Sequence, residues 1–122
     1  MKKALVLVLS ILLVFSLTIP AIAAVPRATN RVDVTVQSHS LASIGTPLSM
    51  EADELVRINC TFSPRTADVD FGLITPRNTF IHVGGENGLC SQTIRINESG
   101  TYYFAVRNNS NYAVEVLGYV YY

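Results

Sequence analysis

Across residues 54–62 the side chains fall into two alternating sets, Val56, Ile58, Cys60 and Phe62 on one side and Leu55, Arg57, Asn59 and Thr61 on the other, apolar against polar at every step from Val56 onward. An extended strand, whose successive side chains point to opposite faces, sorts such a run into one dry and one wet surface, whereas a helix scrambles it. The same period of two recurs in Val32, Val34 and Val36 against Asp33, Thr35 and Gln37, and in Val69, Phe71 and Leu73 against Asp70, Gly72 and Ile74. Further runs at 79–83, 89–96, 101–107 and 112–122 are rich in β-branched and aromatic residues. No window of the exported part shows the three-and-four spacing of an amphipathic helix. Seven or eight short strands, punctuated by polar residues roughly every eight to twelve positions, predict two antiparallel sheets packed face to face. The expected fold is therefore all-β, a small antiparallel sandwich of jelly-roll type.

The punctuation predicts where the chain turns. Residues 39–47, with Ser, Gly, Thr and Pro and little period, read as a connection leading to a short strand at 48–51. Ala52-Asp53, the segment 63–67 with Pro64, and 75–78 with Pro76 read as turns. Gly84-Gly85-Glu86-Asn87-Gly88 carries the strongest hairpin signal, since glycine and Asn-Gly supply the positive φ angles that a tight strand reversal needs.

The amino-terminal segment predicts the compartment. Lys2 and Lys3 precede an apolar stretch at 4–19, and Pro20 precedes a small-residue site, Ala21-Ile22-Ala23, the pattern of a secretory signal peptide cleaved after Ala23. Residues 1–23 are then the signal and 24–122 a single domain of 99 residues, exported from a bacterial cell to the medium, periplasm or cell wall. That domain holds seven arginines, no lysine and nine carboxylates, a formal charge of −2. Scattered arginines on a slightly acidic chain exclude nucleic acid as a partner. No run of about 18 apolar residues follows the signal, so no membrane span is expected in the exported part. An outer-membrane barrel needs eight strands of about 9 to 11 residues, and several runs here are shorter.

Cys60 and Cys90 fall on inward-facing sets of their strands, placed to meet across the core. An even cysteine count in a small exported domain predicts a disulfide, worth roughly 3 to 4 kcal/mol for a loop of about thirty residues; the other reading is two buried free thiols. No phosphate-binding glycine loop, zinc-ligand spacing or nucleophile elbow is present. His82, outward with Phe80, and His39, in a loop, are the only histidines from which a hydrolase would draw its base. Asp68 and Asp70 share a strand face, and Glu51, Asp53 and Glu54 cluster in a bend. These are the weak candidates for a Ca²⁺ site, and no other cofactor or metal is expected.

The outward aromatic residues carry the most specific functional signal. With Val114, Val116 and Val120 inward, Leu117, Tyr119 and Tyr121 face out on the last strand, and Tyr103 faces out on the one before. Tyrosine offers a large rigid surface at small entropic cost, suited to stacking on sugar rings or anchoring a protein. The candidate ligand-binding patch is Tyr103, Leu117, Tyr119 and Tyr121, with Arg95 and Arg107 as polar contacts.

Two segments, Val69-Asp70-Phe71-Gly72-Leu73-Ile74-Thr75-Pro76 and Ser99-Gly100-Thr101-Tyr102-Tyr103-Phe104-Ala105-Val106-Arg107-Asn108, resemble the pattern of bacterial pre-peptidase C-terminal domains and related jelly-roll sandwiches, over about half of the exported chain. The resemblance implies a sandwich fold and a non-catalytic accessory module, here standing alone. The leading expectation is a secreted module that binds a cell-surface component, a glycan or a protein. The alternatives are a small secreted hydrolase and a structural protein of the cell envelope or spore.

Overall fold

The structure, a computed structural model, describes residues 28–122; the expected signal segment lies outside the described residues. Eight strands follow in order: β1 (Thr29–Val36), β2 (Leu41–Met50), β3 (Leu55–Ser63), β4 (Val69–Ile74), β5 (Phe80–Gly84), β6 (Leu89–Arg95), β7 (Gly100–Asn108) and β8 (Val114–Tyr121). Among the described residues there is no helix. The strands form two antiparallel sheets, β1-β8-β3-β6 and β2-β7-β4-β5. Every connection crosses from one sheet to the other except β4 to β5, which pair as neighbours. This alternation between layers is the wiring of an eight-stranded jelly roll, the sandwich type expected from the sequence, with a strand order that the sequence did not supply.

The core forms where the inward sets of the two layers meet. In β3 burial alternates at every residue, with Val56, Ile58, Cys60 and Phe62 buried and the residues between them exposed. Val32, Val36, Val114, Val116 and Val120 complete that layer; Leu48, Phe71, Leu73, Phe104 and Val106 face it from the other. Phe62 and Phe71 touch across the gap, ring centroids 5.7 Å apart. Burying a side chain of this size stabilises by about 1.5 to 3 kcal/mol.

Three local expectations are corrected. The connection expected at 39–47 is mostly strand: β2 begins at Leu41 and pairs with β7. Its period is hidden by a bulge, in which Ile44, Gly45 and Thr46 stand opposite Phe104 alone, between the Ser43–Ala105 and Pro47–Tyr103 pairs. β2 is the edge of its sheet, where proline and a bulge are tolerated. The hairpin expected at 84–88 is also not one. Asn87 and Gly88 do take positive φ, 52° and 80°, in a two-residue turn closed by Glu86 and Leu89. That turn nonetheless lies on a crossover, because β5 and β6 belong to different sheets. Finally, Cys60 and Cys90 do not meet across the core. They are direct partners within one sheet, on β3 and β6, as buried free thiols.

One polar side chain fixes the end of the sandwich where β1 and β7 finish. Asn108 is fully buried; its Nδ2 donates to the carbonyls of Val36, Gln37 and Tyr112 at 3.1, 3.2 and 2.7 Å, and its Oδ1 accepts from the Ser110 amide at 2.9 Å. A single amide thus ties β1, β7 and the loop before β8 together.

Candidate functional site

The outer face of β2-β7-β4-β5 carries an ordered polar cluster that grows out of strand register. Asp70 on β4 stands opposite Arg107 on β7, Gly72 lies between Ala105 and His82, and Ile74 between Tyr103 and Phe80. Arg107 and Phe80 are therefore two strands and two rows apart. The Arg107 side chain nevertheless reaches Phe80, its guanidinium carbon 5.2 Å from the ring centroid. No side chain stands at Gly72 to block the path, and both Gly72 and Ala105 beneath are buried.

The guanidinium is held from several sides. Its Nε and Nη2 donate to Asp70 Oδ2 at 3.1 and 2.6 Å, and Asn109 Nδ2 donates to the same oxygen at 2.9 Å. Arg107 Nη2 also lies 3.2 Å from His82 Nε2. Since guanidinium only donates, Nε2 is the acceptor in this contact, which places the proton of the neutral ring on Nδ1, 3.8 Å from Asp70 Oδ1. The His82 ring stacks on Phe80, centroids 5.1 Å apart and planes 20° apart. Burial alone would push the Asp70 carboxyl up, but hydrogen bonds from Arg107 and Asn109, with the positive charge of Arg107, hold it below the ordinary carboxylate range.

Chemically this is a fixed, charge-compensated set of planar polar groups beside an aromatic surface. The Asp70 side chain is 15% exposed, while those of Arg107 and His82 remain 38% and 39% exposed, and Tyr103 is 37% exposed on the same face. The exposed edges are preordered for hydrogen bonding, so a ligand meets them without the cost of immobilising side chains. In this arrangement the Nε2 edge of His82 is engaged by Arg107.

The structure regroups the candidates read from the sequence. Tyr103 and Arg107 lie on this face, and with them Asp70, a weak calcium candidate in the sequence, and His82, the base that the hydrolase alternative would use. Leu117, Tyr119 and Tyr121 lie on the outer face of the opposite sheet, so the six-residue patch is not one surface but two. Tyr119 and Tyr121 adjoin there, ring centroids 6.3 Å apart. Arg95, on the β6 edge of that sheet, pairs with Asp53. Asp68 takes a 3.4 Å hydrogen bond from Asn109, and among the described residues no group of three or more His, Cys, Asp or Glu is placed to hold a metal ion. His39 sits in the β1–β2 turn at φ 52°. Asn109, which helps hold Asp70, carried no signal in the sequence beyond its place in a polar loop.

A shallow cleft of about 640 Å³ lies elsewhere, among the turns that include Thr75, Thr79, Asn97 and Ser99, with Tyr102 of β7 in its lining. The exposed Arg77–Glu98 ion pair lines it, Nε to Oε2 3.1 Å.

No protein-family model matches the chain, and no curated protein is significantly similar to it. Among solved structures it is similar to a carbohydrate-binding module of lichenase 5A from Cellvibrio mixtus, solved with cellotriose: 12% identity, TM-score 0.42, covering 81% of this chain and 91% of that one. A likeness of that strength transfers neither ligand nor site.

Proposed function

We propose that this protein is a non-catalytic binding module that takes a glycan on the outer face of β2-β7-β4-β5. The observation that carries the reading is Arg107 laid across Gly72 onto Phe80 and locked by Asp70, Asn109 and His82, with Tyr103 exposed beside it. Sugars present vicinal hydroxyls and apolar ring faces. Fixed planar donors and acceptors suit the first, and exposed aromatic rings the second. The internal pairing of Arg107 with Asp70 favours an uncharged glycan over an anionic one. Calorimetric titration with soluble cello-, chito- and manno-oligosaccharides tests the proposal. Binding by at least one series, weakened about tenfold (about 1.4 kcal/mol) in Tyr103→Ala and in Arg107→Ala, is the expected result. Failure of all three series, or binding indifferent to both substitutions, contradicts it.

A second reading, a protein partner, is favoured by a different observation. Leu117, Thr61 and Leu89 are cross-strand neighbours on the other outer face, next to Tyr119, and Leu117, Leu89 and Tyr119 are 49%, 49% and 45% exposed. An apolar and aromatic surface of this kind is typical of protein interaction sites. Tyr119→Ala and Leu117→Ser reduce binding under this reading and leave it unchanged under the first.

A further inference from the structure

We propose that Cys60 and Cys90 are a modification site, at which oxidation forms a cross-strand disulfide that ties edge strand β6 to β3. β6 is held weakly by packing: of its seven residues only Cys90 and Ile94 are buried, and it ends its sheet. The two cysteines are direct partners, each 1% exposed. Two residues along the same ladder the Phe62 amide donates to the Gly88 carbonyl, and alternation of an antiparallel ladder then makes Cys60–Cys90 a hydrogen-bonded pair. Such pairs have Cα atoms about 5.5 Å apart, within the range of about 4.4 to 6.8 Å that a disulfide spans. Their Cβ atoms, about 5 Å apart, lie slightly beyond the spacing of about 3.5 to 4.5 Å in a relaxed bridge. Closing the bond draws β6 toward β3 and leaves a cross-link that thiols reduce readily.

The chemistry is thiol–disulfide exchange with an external disulfide, either oxidised glutathione or the disulfide of an exported exchange protein. One cysteine, as thiolate, attacks that disulfide, forming a mixed disulfide and releasing one reagent thiol. The second then displaces the other reagent thiol, so that two protein thiols and one reagent disulfide become one protein disulfide and two reagent thiols. Burial, with the neighbouring Cys90 adding to it, pushes the Cys60 thiol up to about 12, and burial pushes Cys90 to about 11. Both are therefore neutral in the closed fold, and exchange runs through states in which β6 has lifted from the sheet.

Purified chain with both thiols reduced is incubated with oxidised glutathione at neutral pH. Expected are loss of both titratable thiols, a mass lower by two hydrogens, a monomeric product whose peptide map joins residues 60 and 90, and β6 amide exchange slowed by about tenfold or more. Mild reductant without denaturant then restores both thiols. Persistence of two free thiols after unfolding and refolding in the same buffer overturns the proposal, as do separate glutathione adducts or a link between chains. A bridge that resists reduction until the protein unfolds overturns its strained, reducible character.

Discussion

Asn108 and Asp70 show what individual side chains contribute. Asn108 was legible only as loop punctuation, because its role depends on three carbonyls from β1 and the loop before β8, which sequence spacing does not bring together. Asn108→Ala strands those acceptors in a buried place, and urea unfolding is expected to show a loss of about 2 to 4 kcal/mol with little change in m-value. Arg107→Ala, which leaves Asp70 largely buried with Asn109 and His82 but no guanidinium, is expected to cost about 1 to 2 kcal/mol. The sign of the pH effect follows from the carboxyl being held low in the fold. Its stabilisation is complete above the unfolded-state value of about 3.9 and is lost as pH falls through the folded value. Unfolding free energies measured from about pH 6 down to about pH 3 should therefore show the gap between the native chain and Asp70→Asn closing as the solution becomes acidic.

Strands are where the sequence was most informative and where its silence has clear causes. β3 and β4 announce themselves because both of their sides are paired and one face is buried, so a period of two is enforced. β2 and β5, at sheet edges, are under less constraint, and the β2 bulge erases the alternation at Gly45 and Thr46. The Asn87-Gly88 turn was read correctly as a turn and wrongly as a hairpin, since local chemistry fixes φ but not the layer to which the next strand returns. Gly72 is the point at which strand geometry and site meet. A Cβ there would lie 1.9 Å from the Ile81 carbonyl oxygen of β5, so Gly72→Ala forces β5 away from β4. The expected result is a loss of about 2 to 4 kcal/mol in urea unfolding, together with weaker glycan binding as Phe80 and His82 move with their strand.

At the scale of the whole molecule, the jelly-roll wiring decides what the outward residues do. The final two strands fall in opposite layers, so Tyr103 and Tyr119, although they occupy consecutive strands, look away from each other. Counting strands and reading their faces therefore found the residues of both surfaces but not their partition. The partition needs strand order, which is set by non-local packing. The same wiring brings Asp70, His82 and Arg107, from three strands, onto one face, a grouping that no spacing in the chain encodes. The most direct test of that grouping is amide chemical-shift mapping of the isotope-labelled protein during titration with the oligosaccharide that calorimetry finds tightest. Shifts concentrated at Asp70, Gly72, His82, Tyr103 and Arg107, with Leu117, Tyr119 and Tyr121 unmoved, are the expected outcome. Shifts confined to the β1-β8-β3-β6 face contradict the account.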